Sequence, residues 1–282
     1  MLRIHIWAIA LLLLLAAPAC TEEQLNDLSG GNELSDSEIA NGLRAALRVG
    51  TDTSTASLSQ EGGYLNDPMV RILLPKGLRD NIDSLRASSF NLGFTTVSGE
   101  QIYSGTTVLG VQINGLKSKE QDLVAGLNHA AEAAAGKAGP IFKTAITGIT
   151  IQDARDILFG GVDTAATAYL RRNTANSLFN LYEPKVDTAL RQVTVGNTSV
   201  VQTYQNFVAD YNALLNTGIP GFGTIGSLAG LQPVAVTDLS AYGTQRGLDG
   251  LFIKVGEEEK EIRDNPLDRV TDLLSRVFGQ LD

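Results

Sequence analysis

The sequence contains very few of the residues from which metal and thiol sites are built. Of its 282 residues, one is cysteine and two are histidine. A single cysteine cannot form a disulfide within the chain. Thiolate- or imidazole-rich zinc sites are excluded, because only Cys20, His5 and His129 carry those groups. His129 lies in an alanine-rich helical pattern that favours a packed or surface histidine. We predict neither a metal nor a cofactor.

Positive charge is also scarce. The chain has 22 Lys and Arg residues against 31 Asp and Glu residues, a net charge of −9 at pH 7. A surface with this balance repels phosphate backbones, so we expect no nucleic-acid partner.

The chain lacks an apolar run long enough to span a bilayer, which takes roughly 20 residues. Its longest run, Trp7–Ala17, is shorter, follows the basic Arg3 and precedes the small residues of Ala17-Pro18-Ala19-Cys20. This order is typical of a secretory signal peptide. The last four residues resemble the bacterial lipobox, in which the cysteine receives acyl chains such as palmitate and becomes the first residue of the mature protein.

These features predict three segments. Residues 1–19 are expected to be the signal peptide and residues 20–34 to be lipidated Cys20 with a tether of roughly 20 Å reach. Residues 35–282 are expected to be one folded domain.

An ordinary cleaved signal with a free thiol is the alternative, but such a thiol is a liability in an oxidising compartment. Since Thr21 replaces the aspartate typical of inner-membrane retention, we predict outer-membrane attachment facing the periplasm.

The periodicity of the domain predicts a mainly α fold. Apolar residues at helical spacing follow capping patterns at several positions, among them Ser35 with Glu38, Ser118 with Gln121, Thr150 with Asp153, and Ser199 with Gln202. Residues 89–115 alternate apolar and polar and predict a small β-hairpin or meander. Residues 216–233 are rich in glycine and proline and predict an irregular loop. A last helix is expected behind Asn265-Pro266, with one apolar stripe comprising Leu267, Val270, Leu274, Val277 and Leu281.

One segment matches a nucleotide-binding motif. Residues 221–226, GFGTIG, have the spacing of the dinucleotide fingerprint. That motif requires a strand before it and a helix directly after it, so that backbone amides contact the pyrophosphate. Here a helical pattern and Pro220 precede it, and Pro233 follows closely. We therefore predict a loop.

Two predicted helices carry charged residues within apolar stripes. Arg172, next to Arg171, interrupts a stripe behind Asp163, and Glu258 or Glu259 fills a gap in the stripe of a later helix. A desolvated arginine needs a carboxylate partner. The hypothesis is a buried interhelical pair between these arginines and glutamates. Two alternatives stay open: both ends reach water at the edge of the stripe, or the arginine binds an anionic ligand.

Several segments together resemble the bacterial family known as domain of unknown function 4197. They are IANGLRAALRVG (39–50), GGYLNDPMVRILLP (62–75), AAEAAAGKAGPIF (130–142), DARDILFGGVDTAATAYLRRNT (153–174), GLDGLF (247–252) and EEEKEIRDNPLDRVTDLLSRVFG (257–279). The resemblance implies a single mostly helical envelope domain and assigns no catalytic residue. Residues 88–118 and 216–233 depart from the usual pattern, where relatives generally have shorter connections.

These observations lead us to expect a non-enzymatic, lipid-anchored helical protein that binds a protein or another component of the envelope. A carrier or sensor that holds a hydrophobic or anionic small molecule between helices is the alternative. An enzyme is the third reading. It would require Arg171, Arg172, Asp153, Asp156 or the Glu257–Glu259 cluster to converge in a cleft.

Overall fold

The structure is a computed structural model that describes residues 33–148 and 150–282. The predicted signal peptide, Cys20 and most of the tether lie outside these residues. Residues Asp36–Asp282 form one compact unit. The helices are α1 (Asp36–Leu58), α2 (Lys76–Ala87), α3 (Gly99–Ser104), α4 (Lys117–Gly148), α5 (Ala154–Phe159), α6 (Ala165–Gln192), α7 (Val200–Leu215), α8 (Ile225–Ala229), α9 (Leu239–Asp264) and α10 (Asp272–Phe278).

The strands are short and form antiparallel hairpins. The pairs are β1 (Ser89–Asn91) with β2 (Thr96–Ser98), β3 (Thr106–Val108) with β4 (Val111–Ile113), β5 (Thr194–Val195) with β6 (Thr198–Ser199), and β7 (Gly218–Ile219) with β8 (Gly223–Thr224). The prediction of a mainly α fold with a small β insertion is confirmed.

Four long helices build the core. Helix α1 packs against α4 and α9, and α6 packs against the same two helices. Small residues let these helices approach closely. A run of buried alanines lies on α4: Ala130, Ala131, Ala134, Ala135 and Ala138. At Gly50 of α1, an added Cβ would lie 3.3 Å from the carbonyl oxygen of Val255 on α9.

Two prolines lie inside long helices. The sequence predicts a separate short helix behind Pro184. The structure instead has one continuous helix, α6, which is 28 residues long and contains Pro184. Buried side chains on both sides of Pro184, including Tyr182 and Val186, hold the two halves against the core. Helix α4 likewise contains Pro140. Tertiary packing therefore outweighs the cost of the missing backbone hydrogen bond.

The two segments expected to be irregular or β contain short helices as well. Residues 89–115 form two hairpins separated by α3, and residues 216–233 form the β7–β8 hairpin and α8 rather than a loop. At three hairpins the last strand residue is the helix N-cap: Ser98, Ser199 and Thr224 each accept a hydrogen bond from a backbone N–H of the first turn. Ser199 is confirmed as an N-cap, although the Gln202 side chain donates to Asn206 rather than completing a capping box. Ser118 instead lies inside α4.

The end of the chain differs from the predicted continuous helix. A 3-10 turn (Pro266–Asp268) and an extended connection precede α10, so Leu267 and Val270 are exposed while Leu274 and Val277 are buried. The reason is the buried Arg269, whose guanidinium donates to the carbonyl oxygens of Ile262 (3.0 Å) and Arg263 (2.8 Å). These bonds satisfy the last carbonyls of α9, and the chain turns there.

Candidate functional site

A groove runs between the N-terminal half of α6 and the C-terminal half of α9. It has a volume of about 310 Å³ and is lined by Thr164, Thr167, Ala168, Arg171, Phe252, Ile253, Gly256, Glu257 and Lys260. The two helices lie close together at Gly256, where an added Cβ would lie 3.3 Å from Cγ2 of Thr164. The floor is mostly apolar and the rim is charged, an arrangement shared with the contact surfaces of protein complexes.

Arg171 forms one side of this groove. Its guanidinium lies over the ring of Phe252, 5.4 Å from the ring centroid, and pairs with the carboxylate of Asp249. Arg246 pairs with the same carboxylate at 3.3 Å. Since a cation over an aromatic face is stabilised by the ring quadrupole, Arg171 is held in place although half of it faces solvent.

The opposite rim carries Lys260 and Glu257. Lys260 pairs with Asp264 and lies 3.2 Å from Asp163. Hydrogen bonds to these two carboxylates raise the pKa of Lys260 above its usual range. Glu257 lies 2.7 Å from Lys254. The rim therefore alternates in sign and each of these charges has an opposite charge beside it.

A buried polar junction lies next to the groove, at the ends of three helices. The carboxylate of Glu259 on α9 accepts from the backbone N–H groups of Ala166 (3.0 Å) and Thr167 (2.7 Å), and from the Thr167 hydroxyl (2.8 Å). These are unpaired donors of the first turn of α6, where a negative charge is stabilised by the helix dipole. Glu259 thus anchors the N-terminus of α6.

Arg263 completes this junction. Its guanidinium donates to Glu259 at 2.8 and 3.0 Å and to the carbonyl oxygens of Leu158 (2.9 Å) and Ile157 (3.1 Å) in the last turn of α5. Both charged side chains are buried. One ion pair therefore connects the end of α5, the start of α6 and the last turns of α9.

A comparison with family models identifies the chain. The model described as "Protein of unknown function (DUF4197)" matches residues 33–97 and 104–279. The chain belongs to this family. The resemblance predicted from the sequence is confirmed, and the unmatched residues 98–103 fall on Ser98 and α3. No curated protein and no solved structure matches the chain significantly.

The DUF4197 domain gives the predicted arginine and glutamate residues other partners than the hypothesis did. Glu259 is in a buried ion pair, but with Arg263 of its own helix. Arg171 pairs with Asp249 instead of a glutamate. The interhelical pairing of Arg171 or Arg172 with Glu258 or Glu259 is thus replaced by two separate pairs.

Arg172 and Glu258 lie away from the groove. Arg172 is exposed, with its guanidinium 5.9 Å from the ring centroid of Tyr169. The predicted stripe of α6 is correct at Tyr182 but wrong at Arg172, because the buried face passes through Thr167, Leu170 and Leu178 instead. Glu258 lies against α1. A Cβ added at Gly50 of α1 would lie 3.2 Å from the Cβ of Glu258. Burial raises the pKa of Glu258, with a smaller contribution from the neighbouring acids.

The sequence reasoning missed Asp249, Arg263 and Arg269. The spacing of Glu259 and Arg263 is a signal that could have identified their pair, since residues i and i+4 are neighbours on a helix. Asp249 offers a similar signal, because Arg246 lies three positions before it on the same helix, whereas Arg269 offers none. Arg269 pairs with the Asp282 side chain at 2.7 Å, a contact between residues thirteen positions apart that lie outside any helix or strand.

The other sequence motifs and residues considered for nucleotide binding or catalysis lie outside the groove. Residues 221–226 comprise the turn of the β7–β8 hairpin, strand β8 and the start of α8, which has five residues. Asp153 and Asp156 are exposed on or before α5, outside the groove. In residues 33–148 and 150–282, no group of three His, Cys, Asp or Glu side chains is placed to hold a metal ion. Among the helices of those residues, none is long and apolar enough to cross a membrane.

Proposed function

We propose that this protein is a lipid-anchored, non-catalytic component of the bacterial cell envelope that binds a protein partner in the groove between α6 and α9. Cys20 carries the anchor, which attaches the domain to the outer membrane on the periplasmic side. The observation that carries the binding proposal is the open groove with an apolar floor at Ala168, Phe252 and Ile253. The anchor rests on the lipobox-like residues 17–20.

The size and openness of the groove favour a protein over an enclosed small molecule. Its volume of about 310 Å³ is at the low end of ligand pockets, roughly 300–1,000 Å³. The rim residues Arg171, Glu257 and Lys260 are exposed to solvent. A side chain of a partner could enter the apolar floor while its neighbours meet the alternating rim charges. The charge of Arg171 is already balanced by Asp249, which weakens its attraction for an anionic ligand.

The non-catalytic part of the proposal is supported by the separation of the charged groups. The enzyme reading required Arg171, Arg172, Asp153, Asp156 or the glutamate run to converge in a cleft. Of these residues, the groove is lined by Arg171 and Glu257. The carboxylate of Glu259 is occupied by backbone N–H groups and Arg263, which suits a structural role.

The anchor is tested by the mass of the mature protein purified from its own envelope. We expect a chain that starts at Cys20 and carries a diacylglyceryl group and an amide-linked acyl chain. The variant Cys20→Ser should be released from membranes, because more than one acyl chain makes attachment effectively permanent. An unmodified thiol in the native protein, or another first residue, would disprove the anchor.

The groove is tested by a photo-crosslinking amino acid at Glu257, on its rim. We expect one defined adduct in intact cells, and we expect its loss in an Ala168→Phe background, where the larger ring fills the apolar floor. The matched control places the same probe at Gln245, exposed on the same helix about 18 Å away. The same adducts from both positions, or none from Glu257 in a protein that melts normally, would refute the binding proposal.

A further inference from the structure

The start of α1 lies at the same end of the domain as the last turn of α9. Gly50 of α1 faces Val255 of α9. Gly42, two turns earlier in α1, faces Val277 of α10, and a Cβ added at Gly42 would lie 2.6 Å from Cγ2 of Val277. Glu38 also pairs with Arg276 of α10 at 3.1 Å. Helices α1 and α9 are therefore antiparallel, and the folded chain begins beside the C-terminal end of α9.

Helix α5 lies at this end too. Arg155 pairs with Asp36, the first residue of α1, at 2.6 Å. The other end of α5 is held by Arg263, which donates to the carbonyl oxygens of Ile157 and Leu158. The loop after α5 and the loop after α9 are thus both attached to the last turns of α9, next to the point where the chain enters the domain.

Four large apolar side chains at the end of α5 and on these two loops are exposed. The relative exposure is 48% for Phe159, 55% for Val162, 87% for Leu267 and 67% for Val270. Single exposed apolar residues are ordinary on a protein surface. These four are unusual because they flank one end of one helix and belong to segments that hydrogen bonds hold in place. We call this set the α9-end surface.

We infer that the α9-end surface contacts the lipid bilayer to which the chain is anchored; this inference rests on the anchor proposed at Cys20. Residues 20–34 are predicted to reach roughly 20 Å, whereas α9, with 26 residues, is about 39 Å long. The tether therefore keeps the α9-end surface near the bilayer and the opposite end of α9 away from it.

The charges around the surface specify the lipid chemistry. Asp163, Asp264, Asp268 and Asp282 lie on the same loops or at their ends. Asp163 and Asp264 pair with Lys260, and Asp282 pairs with Arg269, so most of these charges are balanced within the loops. Because these loops carry no excess of positive charge that would attract anionic headgroups, the surface fits a zwitterionic phospholipid surface, into which apolar side chains insert without electrostatic attraction.

The test uses the lipidated mature protein in vesicles of phosphatidylcholine and phosphatidylethanolamine. Since the anchor occupies the single native thiol, Leu267→Cys supplies one free thiol for an environment-sensitive fluorophore. We expect the label to lie roughly 5–10 Å into the headgroup boundary and to be quenched by spin-labelled lipid about two-fold or more above the control. The control is Val236→Cys, also exposed (54%) and three residues before α9 begins.

The outcomes separate this inference from the proposed anchor. Protein that fails to float with vesicles and has no lipid mass refutes the anchor. Protein that floats while both labels are quenched equally refutes the inference and leaves the anchor standing. Stronger quenching when phosphatidylglycerol is added would overturn the assigned lipid chemistry. Shielding of the Leu267 label without vesicles, together with a dimer in sedimentation, would assign the surface to a second copy and also overturn the inference.

Discussion

Replacing Arg263 with methionine is expected to lower the free energy of unfolding by about 3–5 kcal/mol, because it leaves the buried carboxylate of Glu259 without its cation. The carbonyl oxygens of Ile157 and Leu158 lose their donors in the same substitution. Three hydrogen bonds from Ala166 and Thr167 remain on Glu259, but they do not neutralise its charge. The α5–α6–α9 junction should therefore be the first part of the domain to loosen.

The measurement is urea unfolding of the mature chain with Cys20→Ser, followed by circular dichroism. Far-ultraviolet signal is needed because the sole tryptophan, Trp7, lies in the predicted signal peptide. The matched control is Arg191→Met, which removes an exposed arginine paired at the same i, i+4 spacing with Asp187. An exposed pair of this kind contributes up to about 1 kcal/mol.

A second variant distinguishes the lost ion pair from a packing defect. Glu259→Gln in the Arg263→Met background removes the unpaired charge, so the double variant should recover part of the stability lost in Arg263→Met. The coupling between the two substitutions should be about 1–3 kcal/mol, as for other contacting residues. Strictly additive effects, or an Arg263→Met loss no larger than that of Arg191→Met, would contradict this account of the junction.

Replacing Asn128 with leucine is expected to cost about 2–5 kcal/mol, although leucine has a similar size. The buried side chain of Asn128 on α4 accepts from the Ile72 N–H at 2.8 Å and donates to the Ile72 carbonyl oxygen at 2.8 Å. Ile72 lies in a segment that crosses α4 and belongs to no helix or sheet. The Asn128 side chain therefore supplies the hydrogen bonds that the Ile72 backbone would otherwise make within such an element. Each buried backbone group left unpaired costs about 1–3 kcal/mol.

The readout for Asn128→Leu is amide hydrogen exchange together with urea unfolding. The Ile72 amide should lose its protection, and the free energy of unfolding should fall. Asn173→Leu provides the comparison, because Asn173 is an exposed helical asparagine that donates to the Tyr169 carbonyl oxygen within α6. Exposed substitutions of this kind change stability by about 0.5 kcal/mol or less. Retained protection at Ile72 would show that Asn128 is not its essential partner.

Local patterns predicted the helices well and their junctions poorly. The stripe of α9 was placed correctly, since Leu248, Leu251, Val255 and Ile262 are buried. The cap at Ser199 was also correct, because capping depends on residues only three positions apart. The C-terminal stripe failed at Leu267 and Val270, where bonds from Arg269 to the end of α9 bend the chain.

The candidate groove shows the same division. Arg171 was singled out because it adjoins a charged position in an apparent apolar stripe, and it does line the groove. Its partners Asp249 and Phe252 lie on α9, about eighty residues later. Helical periodicity extends over a few turns only and carries no information about which distant helix is opposite. The partner of Arg171 could not be chosen from the sequence.

The amino-acid sequence by itself determined the helical content, some helix starts such as the one after Ser199, the acidic surface and the family, because each depends on composition or on residues a few positions apart. The tertiary structure alone decided which charges meet at the α5–α6–α9 junction and where α6 and α9 leave a groove. It also decided which apolar residues stay exposed at the end of α9. These features depend on the packing of helices some ninety residues apart in the chain, as the bonds between Thr167 and Glu259 show.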